Sequence, residues 1–210
     1  MRAALAVLLL VAGLAHAEGE RAGDFDYYVM ALSWSPGWCD REGIARGSEQ
    51  CGRGLGWSLH GLWPQYDRGW PSYCPTGAAP PSRAQTAAMA DIMGIAGLAW
   101  HQWKKHGACS GLSAEAYFGL SRDAYDAVTR PQVFRDLRDP VRLPARVVEE
   151  AFLKANPALS PDGVTVTCRD GQVQEVRLCL SRDLKPVTCG ADVVRDCTLD
   201  DALLVPIGGD

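Results

Sequence analysis

Eight cysteines, Cys39, Cys51, Cys74, Cys109, Cys168, Cys179, Cys189 and Cys197, constrain this chain more than any other feature. None stands in a C-x-x-C pair, which speaks against zinc ribbons and redox motifs alike. An even number implies disulfides if the chain leaves the reducing cytosol, and the N-terminus supplies that condition. Arg2 gives a short positive start, Ala3 to Ala15 is nearly all apolar, and Ala15-His16-Ala17 is a small-x-small cleavage site. Residues 1–17 are therefore expected to be a secretory signal peptide, and residues 18–210 a single domain. The apolar run is too short to span a bilayer, and no later segment is long and apolar enough, so no membrane partner is expected. Export to the periplasm or the medium is the implied location. Asn156, the only asparagine, precedes Pro157, so no N-glycosylation sequon exists. With the heavy use of Ala, Gly and Arg, this leans bacterial. The residues alone leave 105 cysteine pairings open, although Cys39 and Cys51 suggest the closure of one loop.

Charge narrows the partners. The formal net charge is −4, from 21 Lys and Arg against 25 Asp and Glu. Removing Arg2 with the leader makes it 20 against 25, or −5. A stable nucleic-acid binder usually carries a basic face, whereas an enzyme needs only a local basic pocket. The balance favours turnover over tight binding.

Such a pocket is encoded in His101-Gln102-Trp103-Lys104-Lys105-His106-Gly107-Ala108-Cys109. On a helix at about 100° per residue, His101, Lys105, Gln102 and His106 fall at roughly 0°, 40°, 100° and 140°. They share one side, wide enough to cradle one anionic group. Trp103, at about 200°, is expected in the core, and Gly107 is a plausible end to the helix. The zinc-protease motif needs histidines four apart beside a glutamate. Here they are five apart, the neighbour is Gln102, and no nearby Asp or Glu completes a site. No metal or other cofactor is expected.

Taken in order, Asp24 to Trp34 carries apolar side chains on both alternations and predicts a strand covered on both faces. Pro36-Gly37 ends it, and Cys39 to Gly56 is expected to be an irregular loop. In Leu55 to Gln65, alternation buries Leu55, Trp57 and Leu59 and turns Ser58 and His60 to the other face. Tyr66 to Pro81 is loop. Thr86 to Met93 is helical, with Gly94 and Gly97 separating it from the His101 helix. Ser113 can cap a helix over Ala114 to Val128, with Tyr117, Leu120, Ser121, Ala124 and Val128 inward. Pro144 suits the first turn of another helix, with Val147, Val148, Ala151, Phe152 and Ala155 inward. Val164 to Cys168 and Val173 to Leu180 flank Asp170-Gly171, a hairpin signal. The expected fold class is α+β, one disulfide-stapled domain in which helices pack against an antiparallel sheet.

Two segments in this order resemble a known family. Leu59-His60-Gly61-Leu62-Trp63-Pro64 and His101 through Cys109 are similar to the two active-site segments of the T2 ribonucleases, and Phe25-Asp26-Tyr27-Tyr28 through Ser33-Trp34-Ser35-Pro36 resembles that family's first strand. The resemblance implies an endoribonuclease that cleaves single-stranded RNA without metal, through a 2′,3′-cyclic phosphate. By it, His106 is the general base, His60 the general acid, and His101 with Lys105 holds the phosphate. Gln102 is the third catalytic position, while Trp63 and Tyr66 stack on a base. It further implies the pairs Cys39–Cys51, Cys74–Cys109, Cys168–Cys197 and Cys179–Cys189. Two positions depart from the pattern: Gln102 stands where the family usually has glutamate, and Ala108 where threonine is common. The first predicts an active but slowed enzyme, because an amide donates a hydrogen bond but carries no proton or charge. A weakened relative that binds RNA or another partner without cutting it is the alternative, and a stapled structural protein with incidental histidines is the third reading. A monomer is expected.

Overall fold

A computed structural model describes residues 20–208 of the chain, so the expected leader lies outside the described residues. The aromatic run after Asp24 forms β1 (Tyr27–Trp34), buried along its length except at Ser33. The backbone then enters a short helix, α1 (Ser35–Trp38), with Pro36 in its first turn, where its missing N–H costs nothing. A turn of π-helix (Cys39–Gly43) and one of 3₁₀-helix (Glu49–Gly52) follow, so the expected irregular loop contains helical turns closed by Cys39–Cys51. Strand β2 spans Trp57–Gln65.

Three helices lead to the turn that carries Cys109: α2 (Arg83–Ala88), α3 (Ala90–Met93) and α4 (Ala96–Lys105). The first begins earlier than its periodicity predicts, because Ser82 and Gln85 form a reciprocal capping box. Beyond α4 come a 3₁₀ turn (Gly107–Ser110) and α5 (Ala114–Ala127), capped by Ser113. Strand β3 (Val141–Leu143) and α6 (Arg146–Ala155) precede the hairpin of β4 (Val164–Arg169) and β5 (Gln172–Leu180). Asp170 and Gly171 both take positive φ, as a two-residue hairpin loop of the primed type requires. Strand β6 (Ala202–Leu204) completes the order β2-β1-β5-β6-β3, with β4 paired to β5. The ladders are antiparallel except for a single parallel contact, Gln172 with Leu203, so the sheet is mixed.

One face of this sheet carries the main core. Tyr28, Met30, Leu32 and Trp34 of β1 meet Leu59 and Leu62 of β2, Val176 and Leu178 of β5, and Tyr117, Val148 and Phe152 from the helices. Of the positions expected inward on α6, Val147 is instead 37 % exposed. The helix starts at Arg146, and its inward row is Val148, Ala151, Phe152 and Ala155, one residue out of phase with Val147.

The disulfides are Cys39–Cys51, Cys74–Cys109, Cys168–Cys197 and Cys179–Cys189, the four pairs that the resemblance implies. Cys74–Cys109 fastens the turn after α4, where Tyr73 N–H also donates to the Lys105 carbonyl. Gly107 lies in that turn, but not as a left-handed helix stop. A β-carbon on it would meet the rings of Trp103 at 2.6 Å and Tyr117 at 2.8 Å, so glycine is there for close approach to two core aromatics.

Candidate active site

The second sheet face has a smaller apolar cluster, Tyr27, Val29, Cys179, Cys189 and Val193, and beside it lies the site. It starts from an irregularity in β2. Opposite β1, Gly61 pairs with Ala31 but Leu59 pairs with Leu32, which leaves His60 as an extra residue in a β-bulge. In a regular strand, His60 and Trp63 would fall on opposite faces. With the bulge, Leu59 and Leu62 both enter the core, while His60 and Trp63 line one cavity.

Helix α4 lies against β2 and presents the expected arc. His101, Gln102, Lys105 and His106 all line the same cavity of about 280 Å³, and Trp103 turns into the core. The helix ends at Lys105; His106 is its cap residue, and its N–H donates to the Gln102 carbonyl. Gln102 is 2 % exposed and His106 5 %. The Gln102 Oε1 accepts a 2.7 Å hydrogen bond from Trp63 Nε1, leaving Nε2 without a partner among the described residues. This contact needs Gly61, because a β-carbon there would overlap both Gln102 Oε1 and Trp63 Nε1.

Trp63 stands between the imidazoles. His106 stacks on it with ring centroids 5.2 Å apart and planes 27° apart, and His60 meets it edge-on, also at 5.2 Å. Tyr66 does not enter the cavity. It follows the last residue of β2 and packs against the main core, its N–H held by the Gly69 carbonyl. The aromatic that the loop does bring to the cavity is Trp70, 51 % exposed.

Two further residues carry no local signal that sequence reasoning picks up: Glu175 and Arg177 on β5. Across the sheet, Ser33 pairs with Glu175 and Ala31 with Arg177, so both side chains stand on the site face. Glu175 is 1 % exposed. Its Oε1 lies 2.5 Å from His60 Nδ1, and its Oε2 accepts from Arg177 Nε at 3.0 Å and Nη2 at 2.8 Å. The Arg177 guanidinium lies 5.4 Å from the Trp63 ring centroid. In the sequence Glu175 and Arg177 appear only as two charged residues flanking Val176 in a strand that also holds Gln172 and Gln174.

These surroundings separate the protonation states. Burial, then the charges of Lys105, His60 and His101, pushes His106 down from 6.5 to about 3, so its ring is neutral. Its Nδ1 is buried without a partner among the described residues, which leaves Nε2 as the nitrogen available to the cavity. His101 is lowered too, first by partial burial and then by Lys105. Burial raises the Glu175 carboxyl, but the hydrogen bond and charge of His60, with Arg177, outweigh this and hold it at about 2. Because Glu175 stays ionised, His60 Nδ1 is the donor to it, which leaves Nε2 as the nitrogen not engaged by the carboxylate.

A stability prediction follows. Between about pH 6.5 and 3 the unfolded chain protonates His106 while the native chain does not, so stability falls as pH drops through that window. Glu175 acts in the same direction lower down, its contribution being present above 4.5 and lost as pH falls toward 2. The loss from His106 should amount to a few kcal/mol, since each tenfold rise in proton concentration across the window favours the unfolded chain by roughly 1.4 kcal/mol. Thermal melts should show Tm falling from pH 7 to 4, and His106→Leu should flatten that fall. A variant whose Tm declines as steeply as the parent's would show that the buried neutral imidazole is not its cause.

The site can thus present a neutral imidazole and a carboxylate-backed imidazole across one cavity, with Lys105 and Arg177 as cations. No group of three or more His, Cys, Asp or Glu among the described residues is placed to hold a metal ion.

Comparison with known proteins yields a consistent set. The model of the Ribonuclease T2 family matches residues 25–189. A protein named "Ribonuclease" from Aeromonas hydrophila is 49 % identical over 107 residues, covering 51 % of this chain and 47 % of that one, so the match spans less than half of that relative's length. "Ribonuclease I" from Escherichia coli strain K12 is 27 % identical over 229 residues, covering 86 % of this chain and 85 % of that one. The solved structure of an RNase-related protein from Calystegia sepium shares the fold, with a TM-score of 0.70 at 19 % identity over 88 % of this chain and 98 % of that one.

Proposed function

Since the chain belongs to the ribonuclease T2 family, we propose that it is an endoribonuclease that cuts single-stranded RNA without a metal ion and leaves a 2′,3′-cyclic phosphate. The observation that carries this reading is the pair of imidazoles in one cavity, His106 held neutral and His60 backed by a carboxylate. His106 Nε2 takes the proton of the ribose 2′-hydroxyl as its oxygen bonds to phosphorus. The bond from phosphorus to the 5′-oxygen breaks, and His60 Nε2–H gives that oxygen its proton. Lys105 and His101 hold the phosphoryl oxygens, and the Gln102 Nε2 amide donates to the charge that develops on them. Trp63 and the exposed Trp70 offer the aromatic faces on which unpaired bases stack. DNA is not cut, because it lacks the attacking hydroxyl.

The same reading takes residues 1–17 as a cleaved leader, the mature protein as secreted or periplasmic, and the working form as a monomer. The leader's composition and the four disulfides support export. One observation favours a weakened enzyme as the second reading: Gln102 cannot share a proton with the transition state. The test is incubation of the mature protein with single-stranded RNA in excess EDTA, followed by mass analysis of the product ends. Cleavage with 2′,3′-cyclic phosphate ends is expected. Activity lost in EDTA and restored by a divalent ion would overturn the mechanism, and binding without cleavage would favour the second reading.

A further inference from the structure

We propose that Glu175 and Arg177 act as a positioning pair for His60, Glu175 fixing the proton on Nδ1 and turning Nε2 to the leaving oxygen, and Arg177 limiting the carboxylate charge that His60 feels. The inference rests on His60 being the general acid.

The geometry is specific. His60 sits in a bulge, and a bulge alone aims a side chain without locking its ring. The ring needs a second constraint, and the 2.5 Å contact of Nδ1 with Glu175 Oε1 supplies it. Glu175 comes from β5, two strands away from β2, and Ser33 of the intervening β1 donates to the same oxygen at 3.3 Å. The carboxylate is held from both ends, since its other oxygen is engaged twice by Arg177. A buried carboxylate with one partner would be a costly way to hold a ring. With both oxygens engaged, it is a fixed orienting anion.

Arg177 gives this pair its second property. A carboxylate facing an imidazole favours its charged form, and a general acid that holds its proton too firmly is a poor acid. A guanidinium on the far oxygen competes for the same negative charge. Other charged groups also face the cavities that His60 lines: His101, Lys105 and His106 from α4 and its cap, Asp192 from the segment after β5, and, around a second cavity that His60 and Glu175 share, Arg41 and Glu42 from the π-helical turn after α1 and Arg169 from β4. Glu175 alone among these touches the ring through a hydrogen bond.

The expected signature is a pair of opposite displacements of the pH profile. The experiment measures kcat/KM against pH on one dinucleotide for the parent, Glu175→Gln and Arg177→Gln, with His60→Ala alongside. Glu175→Gln keeps an acceptor for Nδ1–H but removes the charge, and should move the alkaline limb of the profile down by about one pH unit. Arg177→Gln leaves the carboxylate unopposed and should move that limb up. Glu175→Ala should lower kcat by about 10²-fold with little change in KM, since a misplaced acid costs the chemical step. Limbs that move in the same direction, limbs that do not move, or a Glu175→Ala protein with the parent's kcat would each overturn the proposal. Full activity in His60→Ala would instead show that His60 is not the acid, a separate failure.

Discussion

His106→Ala and His60→Ala should each lower kcat/KM on a dinucleotide by about 10²–10⁴-fold, the range for a positioned general base or acid. The double variant should be little worse than the poorer single one, because a base without its acid already leaves the reaction stalled at the leaving group. The two losses should differ in their side effects. His106 is 5 % exposed and stacks on Trp63, so alanine there also opens a hole beside the indole and should lower Tm. His60 is more open, with a side-chain exposure of 34 %, and its removal leaves Glu175 still paired with Arg177. Its alanine variant should therefore lose rate with less loss of Tm. Measuring kcat/KM and Tm together decides the matter, and near-parental rates in either variant would remove that residue from the mechanism.

Gly61→Ala should cost about 10²-fold in kcat although Gly61 carries no chemistry. The added carbon overlaps Gln102 Oε1 and Trp63 Nε1, the two ends of the hydrogen bond that joins α4 to β2. Gln102 cannot retreat into open solvent, since it is almost wholly buried, and Trp63 is flanked by the rings of His60 and His106. The helix and strand must separate, and displacement of catalytic groups by about 1 Å is enough for such a loss. Overpacking of this kind should also remove about 1–3 kcal/mol of stability. Shortening the opposing side chain relieves only the Gln102 half of the overlap, so Gly61→Ala with Gln102→Ser should recover part of the lost Tm, while kcat stays low because the Gln102 amide is itself lost. A Gly61→Ala protein with parental kcat would mean that the close approach is not what holds the site.

How much of this is legible in the sequence depends on the distance over which each residue finds its partner. His101, Gln102, Lys105 and His106 share a cavity because of helical spacing alone, and spacing can be read from a sequence. Trp103 in the core follows from the same angle. Glu175 finds His60 across 115 residues and two strand pairings, so no local pattern points from one to the other. Tyr66 and Trp70 illustrate the same limit within one loop. Both are aromatics near the motif, and only the path of the chain after Gln65 sends one to the core and the other to the cavity. Strands β3 and β6 are three residues each, too short for any periodicity, and exist because they pair with each other. Ser82 and Gln85, by contrast, spell a capping box in plain sequence, and the helix start is readable there.

The bulge at His60 bears on how such a site tolerates change. A strand sorts its residues by parity, odd positions to one side and even to the other. His60 and Trp63 have opposite parity and nonetheless share a cavity, so the extra residue works as a parity correction placed between them. Point substitutions around it alter size or charge but leave the correction intact. A deletion of one residue removes it, and from that point β2 must either send Trp63 into the core or pull Leu59 out of it. Nothing chemical need be lost for the site to come apart. This stretch should therefore accept changes of side chain far more readily than changes of length, and a library of single-residue deletions across 58–63 should be uniformly inactive even where every catalytic residue survives.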